Sequence, residues 1–176
     1  MSKPPQSRAP SRETISPPSR DLAALPERVR AMRELILEAV DGRDIEELRR
    51  AIERNETLPI FATGAQRPRT FADVVEFLKS QSFDGQGRET LAIIAAIFDQ
   101  AYATITRGPV VTYEWPAFAA RTFSEASEDE RREMWRCVRF ASLASSADKA
   151  LDFKTPAIER IGIGADGTWH YFVASS

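Results

Sequence analysis

Apolar residues recur at a helical period along the first half of this chain and at a strand period near its end. From Val29 the series Met32, Leu35, Ile36, Ala39 and Val40 predicts a helix, with Pro26 in its first turn and Gly42 as its stop. Asp44, with Glu47 three residues on, reads as a capping box opening a second helix that carries Ile45, Leu48, Ala51 and Ile52. Residues 56–69 hold Pro59, Gly64 and Pro68 and read as a loop. Thr70 and Asp73 form another box ahead of Val74, Val75, Phe77 and Leu78, and Asp84, Gly85 and Gly87 make the next turn. From Arg88, the residues Leu91, Ile94, Ile97, Phe98 and Ala101, widened by Ile93, predict a helix apolar on most sides and therefore central.

The second half changes period. Tyr102–Thr106 and Val110–Tyr113 are rich in β-formers around Gly108-Pro109, which predicts a hairpin. Ser127 and Glu130 cap a further helix, with Met134, Trp135, Val138 and Phe140 placed inward and Ser146–Leu151 adding a helical turn. Ala157–Ile163 and Thr168–Ala174, joined through Ala165-Asp166-Gly167, predict a closing hairpin. Strict alternation puts Ile161 and Ile163 on one face of the first strand, and Trp169, Tyr171 and Val173 on one face of the second. The expected fold is α+β: a helical N-terminal half packed on an antiparallel sheet of two hairpins. Pro59-Ile60-Phe61-Ala62 before Arg69-Thr70-Phe71 is echoed by Pro116-Ala117-Phe118-Ala119 before Arg121-Thr122-Phe123, but the spacings and flanks differ, so coincidence is preferred to duplication.

Composition divides the chain. The first twenty residues hold five prolines and five serines, with Lys3, Arg8, Arg12 and Arg20 against Glu13, and read as a disordered basic tail. Residues 21–176 are expected to form a single domain, with twenty basic and twenty-five acidic residues. A solubilising role for the tail is preferred to contact with nucleic acid or anionic lipid. No uncharged run exceeds ten residues, so no transmembrane helix is expected. No hydrophobic h-region follows Met1, which predicts the cytoplasm; a Pro/Ser-rich start also follows a removed signal peptide, which would place the protein in the periplasm.

Candidate chemistry is sparse. The chain has one cysteine and one histidine, which excludes a disulfide framework and the common poly-His metal sites, and no metal or cofactor is expected. Cys137 reads as a buried, inert thiol. His170 lies on the last strand, where alternation points it away from Trp169 and Tyr171. Glu114, between Tyr113 and Trp115, has an aromatic setting that raises a carboxyl toward general-acid use, although no second carboxylate is placed beside it. Asp84-Gly85-Gln86-Gly87 lacks the spaced ligands of a calcium loop. Gly162-Ile163-Gly164 precedes a turn and strand rather than a helix, which excludes a dinucleotide fingerprint, and no Walker sequence exists. Arg67 and Arg69 near Phe61 and Phe71 are set against an acidic body, so nucleic acid is not an expected partner.

Tyr113, Trp115, Phe118, Trp169, Tyr171 and Phe172 remain, all but Phe118 in or beside the predicted hairpins. They form either core beneath the helices or an aromatic groove. On the second account Tyr113, Trp115, Trp169 and Tyr171 hold a protein, a peptide, a glycan or a small apolar ligand, with Glu114 and His170 as polar handles. The segments Tyr113-Glu114-Trp115-Pro116-Ala117-Phe118-Ala119 and Arg160-Ile161-Gly162-Ile163-Gly164-Ala165-Asp166-Gly167-Thr168-Trp169-His170-Tyr171-Phe172 resemble a group of small alphaproteobacterial proteins with Y-x-W-P-x-F-A and G-I-G-x-D-G-T-W motifs. That group brings no established activity, and some of its members look exported. The leading expectation is a non-enzymatic binding domain using an aromatic sheet face; the alternative is a small hydrolase with Glu114, His170 or both at its site.

Overall fold

The computed structural model describes residues 13–62, 67–120, 125–140 and 157–174. Among these are five α-helices, α1 (Glu27–Gly42), α2 (Leu48–Glu53), α3 (Phe71–Gln81), α4 (Arg88–Phe98) and α5 (Glu128–Met134). Five strands, β1 (Glu13–Ile15), β2 (Ala103–Arg107), β3 (Val110–Trp115), β4 (Glu159–Gly164) and β5 (Trp169–Ala174), pair antiparallel in the order β1-β2-β3-β4-β5. The expected α+β architecture is present: helices fill the N-terminal half, and the β4–β5 hairpin closes the described chain. The Ser146–Leu151 turn lies outside the described residues.

α4 is the centre of the helical layer, as its apolar circumference requires: Leu91, Ile93, Ile94, Ala96, Ile97 and Phe98 are all buried. It packs on α1, α3 and β4. Arg33 of α1 clamps its end, donating from Nη2 to the Phe98 carbonyl at 3.1 Å with the guanidinium 5.2 Å from the Phe98 ring centre. Under the helices one sheet face presents Trp115, Ile161, Ile163, Trp169 and Phe172, none more than 1% exposed. Thr70 with Asp73, and Ser127 with Glu130, both make the reciprocal capping box their spacing predicts.

Three local expectations are corrected. Residues 13–20 were assigned to the tail by composition, yet Glu13–Ile15 pairs with Arg107–Ile105, and Ser19 exchanges backbone hydrogen bonds with Tyr102. A Thr-Ile pair is enough to form a short edge strand, because Pro17 and Pro18, which have no N–H for a ladder, fall between the strand and the Ser19 bridge. Within the expected 56–69 loop, the described residues 56–62 cover the outer edge of β5. Ile60 donates to the His170 carbonyl and accepts from Phe172 N–H, both at 2.9 Å. Asn55 mimics a strand beside Trp169, donating from Nδ2 to its carbonyl at 2.8 Å and accepting from its N–H at 3.1 Å. The outer edge of β5 is thereby protected.

The third correction concerns the end of α1. Gly42 stays helical, and the left-handed residue is Arg43, at φ 55°. Its N–H donates to Val40 O at 3.1 Å and Asp44 N–H to Ala39 O at 3.2 Å, closing the helix. Asp44 then accepts from Glu46 N–H and caps a 3₁₀ turn over Ile45–Glu47 rather than a reciprocal box. A side chain in this conformation is strained where glycine is not. Arg43→Gly is therefore expected to raise the unfolding free energy by about 0.5–1 kcal/mol, read as a higher urea midpoint at unchanged slope.

Candidate functional site

The second face of the sheet carries the candidate acid. Register places Glu114 opposite Gly162, and Gly162 opposite Tyr171, in one row across β3, β4 and β5. Having no side chain, Gly162 lets the Tyr171 ring lie flat over it; a Cβ there would stand 2.2 Å from Tyr171 Cζ. The phenol thereby reaches across β4 and its hydroxyl donates to Glu114 Oε2. Arg160 approaches the same oxygen with Nη1 at 3.4 Å, its guanidinium 5.6 Å from the Tyr171 ring centre. Glu114 is wholly buried, and its Oε1 has no hydrogen-bond partner among the described residues.

Burial pushes the Glu114 carboxyl above its ordinary range, although the Tyr171 hydrogen bond and Arg160 pull the other way. Burial and the neighbouring carboxylate push the Tyr171 hydroxyl up, so it remains a protonated donor. A raised acid binds its proton more tightly in the folded than in the unfolded state. Glu114 therefore contributes stability that is full below the unfolded carboxylate pKa and is lost as pH rises through its folded pKa. Glu114→Gln, a neutral isostere that still accepts from Tyr171, is expected to be at least as stable as wild type at neutral pH. That advantage shrinks as pH falls, which a series of thermal unfolding midpoints against pH will read.

The aromatic positions do not form one face. β5 pairs Tyr171 with Gly162 but Trp169 with Ile163, leaving His170 as the extra residue of a β-bulge. One inserted residue reverses the alternation, so Trp169 joins Phe172 in the core while Tyr171 and Val173 point the other way. Trp115 and Trp169 are both 0% exposed; Trp169 meets Phe61 edge-on at 5.3 Å and donates from Nε1 to the Tyr171 carbonyl at 3.0 Å. Tyr113 lies on the core side, half-buried against Tyr102. Of the four expected ligand-binding residues, only Tyr171 stands on the second face, with its hydroxyl committed to Glu114.

His170 Nδ1 lies 3.4 Å from Thr112 Oγ1, in a different row from Glu114. The two expected polar handles are each engaged by their own neighbour. Cys137 is buried, and burial pushes its thiol up to about 12, too high for a nucleophile at neutral pH. No group of three or more metal-ligating side chains occurs among the described residues.

Two features outside the aromatic positions were not anticipated. Arg139 and Glu159 form a buried ion pair, Nε to Oε1 2.6 Å, extended by Arg139 Nη1 donating to Thr90 Oγ1 at 2.8 Å and by Thr90 beside Ser82 Oγ at 2.9 Å. A signal existed: Glu159 shares strand parity with the inward Ile161 and Ile163. The second feature is Phe83 and Phe140, 70% and 58% exposed, meeting edge-on at 5.7 Å. The Glu89 carboxylate holds them together by accepting from both backbone N–H groups. Phe140, placed inward by helical spacing, is thus on the surface, as is Trp135 at 42% exposure, because the helix gives way to a 3₁₀ turn at Trp135–Cys137.

Two of the cavities among the described residues lie beside α1. One, of about 530 Å³, lies between the end of α1 and the start of α4 and is lined by Val40, Arg43, Arg88, Leu91 and Ala92. The other, of about 600 Å³, lies between α1 and the β4–β5 turn. It is polar: Arg28 and Arg54 share it with Glu56 and Asp166, and Asn55 and Asp166 are already bonded to the backbone of Trp169 and Thr168. Comparison with family models, curated proteins and solved structures found no match to this chain.

Proposed function

We propose that this chain is a non-enzymatic binding domain whose ligand is a small molecule with an apolar part seated between α1 and α4. The observation that carries this reading is the cavity itself. Its volume of about 530 Å³ lies in the range of small-molecule sites, and Val40, Leu91 and Ala92 give it an apolar lining at the junction of two rigid helices. The burial of Trp115 and Trp169 moves the binding reading away from the sheet. The hydrolase alternative is opposed by Glu114: a general acid must reach its substrate, and a carboxyl with no exposed surface has nothing to offer one.

The test uses decanol as a neutral probe, titrated into wild type and Ala92→Trp with heteronuclear NMR as the readout. Ala92 is exposed, so the larger side chain fills the cavity without entering the core. Saturable shifts in wild type that vanish in Ala92→Trp support the reading. Equal responses of the two proteins, or none in either, overturn it.

The Phe83–Phe140 pair favours a second reading, association with a protein, since fixed exposed aromatic rings are common interface anchors. Under that reading Phe83→Ser/Phe140→Ser removes a captured partner that Ala92→Trp retains; capture unchanged by the double substitution counts against it.

A further inference from the structure

We infer, resting on the binding reading above, that the ligand of the α1–α4 cavity is an amphiphilic anion: a hydrocarbon tail against Val40, Leu91 and Ala92, and a carboxylate between Arg43 and Arg88. The cavity combines an apolar lining with two guanidinium groups and no acidic side chain among its described lining residues. The cations of α2 and α3 are engaged: Arg49 pairs with Glu53, Arg50 with Glu38, and Lys79 with Glu46. Among the described residues neither the Arg43 nor the Arg88 side chain makes an ion pair or hydrogen bond, although acidic residues outnumber basic ones from Asp21 onward. Both residues are exposed at the rim of one apolar cavity, and a carboxylate seated between them accepts charge-assisted hydrogen bonds from both.

Simpler explanations account for one arginine and not the other. Arg43 follows the C-terminus of α1, where a cation suits the helix dipole. Arg88 opens α4, the end at which a cation is unfavourable. The backbone there is already served by Asp84, which accepts from Arg88 N–H at 3.2 Å and from Gln86 N–H at 3.0 Å, so the Arg88 side chain has no capping task. Arg43 holds its place in a backbone conformation that Gly42, one residue earlier, would occupy without strain. Both arginines are accounted for by a ligand that needs them.

The test is calorimetric titration of decanoate, decanol and decylammonium into wild type, Arg43→Gly, Arg43→Gln and Arg88→Gln. Wild type is expected to bind decanoate about tenfold more tightly than decanol, and decylammonium more weakly than either. Each arginine substitution is expected to erase most of the decanoate preference while leaving decanol affinity within about twofold. Arg43→Gly is the decisive variant, because it is expected to gain stability, so that lost binding is not lost folding. Equal binding of decanol and decanoate, or a preference surviving all three substitutions, overturns the anion inference and leaves the binding reading standing. No saturable binding of any probe overturns both.

Discussion

Gly162→Ala is expected to lower the unfolding free energy by about 2–4 kcal/mol, a large effect for one methyl group on a strand where alanine is ordinarily tolerated. The cost does not come from the backbone. It comes from Tyr171, whose ring occupies the space a Cβ would need, with Cζ, Cε1 and the hydroxyl all within 2.6 Å of it. The ring can swing away only by withdrawing its hydroxyl from Glu114, a wholly buried group whose other oxygen already lacks a partner among the described residues. Tyr171→Phe removes the same hydrogen bond but keeps the ring over Gly162, so it should cost less, about 1–3 kcal/mol. Urea unfolding of the two variants separates the contributions. If Gly162→Ala lies within about 0.5 kcal/mol of wild type, the ring does not cover the glycine in solution.

The second large effect belongs to the buried ion pair. Arg139→Met is expected to cost about 3–5 kcal/mol, because it strands Glu159 in the interior without its cation and takes the guanidinium from Thr90. Arg139 also rests its guanidinium 5.4 Å from the Phe172 ring centre, a contact that methionine keeps in part. Arg139→Met/Glu159→Leu should recover most of the loss, since a well-packed apolar pair in place of a buried ion pair is often neutral or better. Failure of the double variant to recover would show that Arg139 acts through Thr90 and Ser82 rather than through Glu159. Equilibrium unfolding of the four proteins of this cycle measures the coupling.

What could be read from the chain beforehand followed how local each signal is. The capping boxes at Thr70–Asp73 and Ser127–Glu130 need four residues, and both formed. The circumference of α4 and the paired β-rich runs need about a dozen residues each, and they located the central helix and the two hairpins. The aromatic face failed on a single residue. A bulge at His170 inverts every later position of β5 relative to Trp169, and no residue type there marks it. Arg43 was hidden for a related reason, since the adjacent glycine is the better candidate for a left-handed terminus. Glu159 was legible by parity alone. The α1–α4 cavity was not, because Arg43 and Arg88 are far apart in sequence and come to line one cavity only when two helices pack.

The central claim is that binding takes place between α1 and α4 and not on the sheet. Methyl-resolved NMR of the full chain, titrated with decanoate, tests it directly. The expected result is saturable shifts at the methyl groups of Val40, Leu91 and Ala92, with those of Ile15, Val110 and Val173 on the second sheet face unmoved. Shifts concentrated on the sheet methyls and the Tyr171 ring, with Val40, Leu91 and Ala92 silent, would contradict the account and return the site to the aromatic strands.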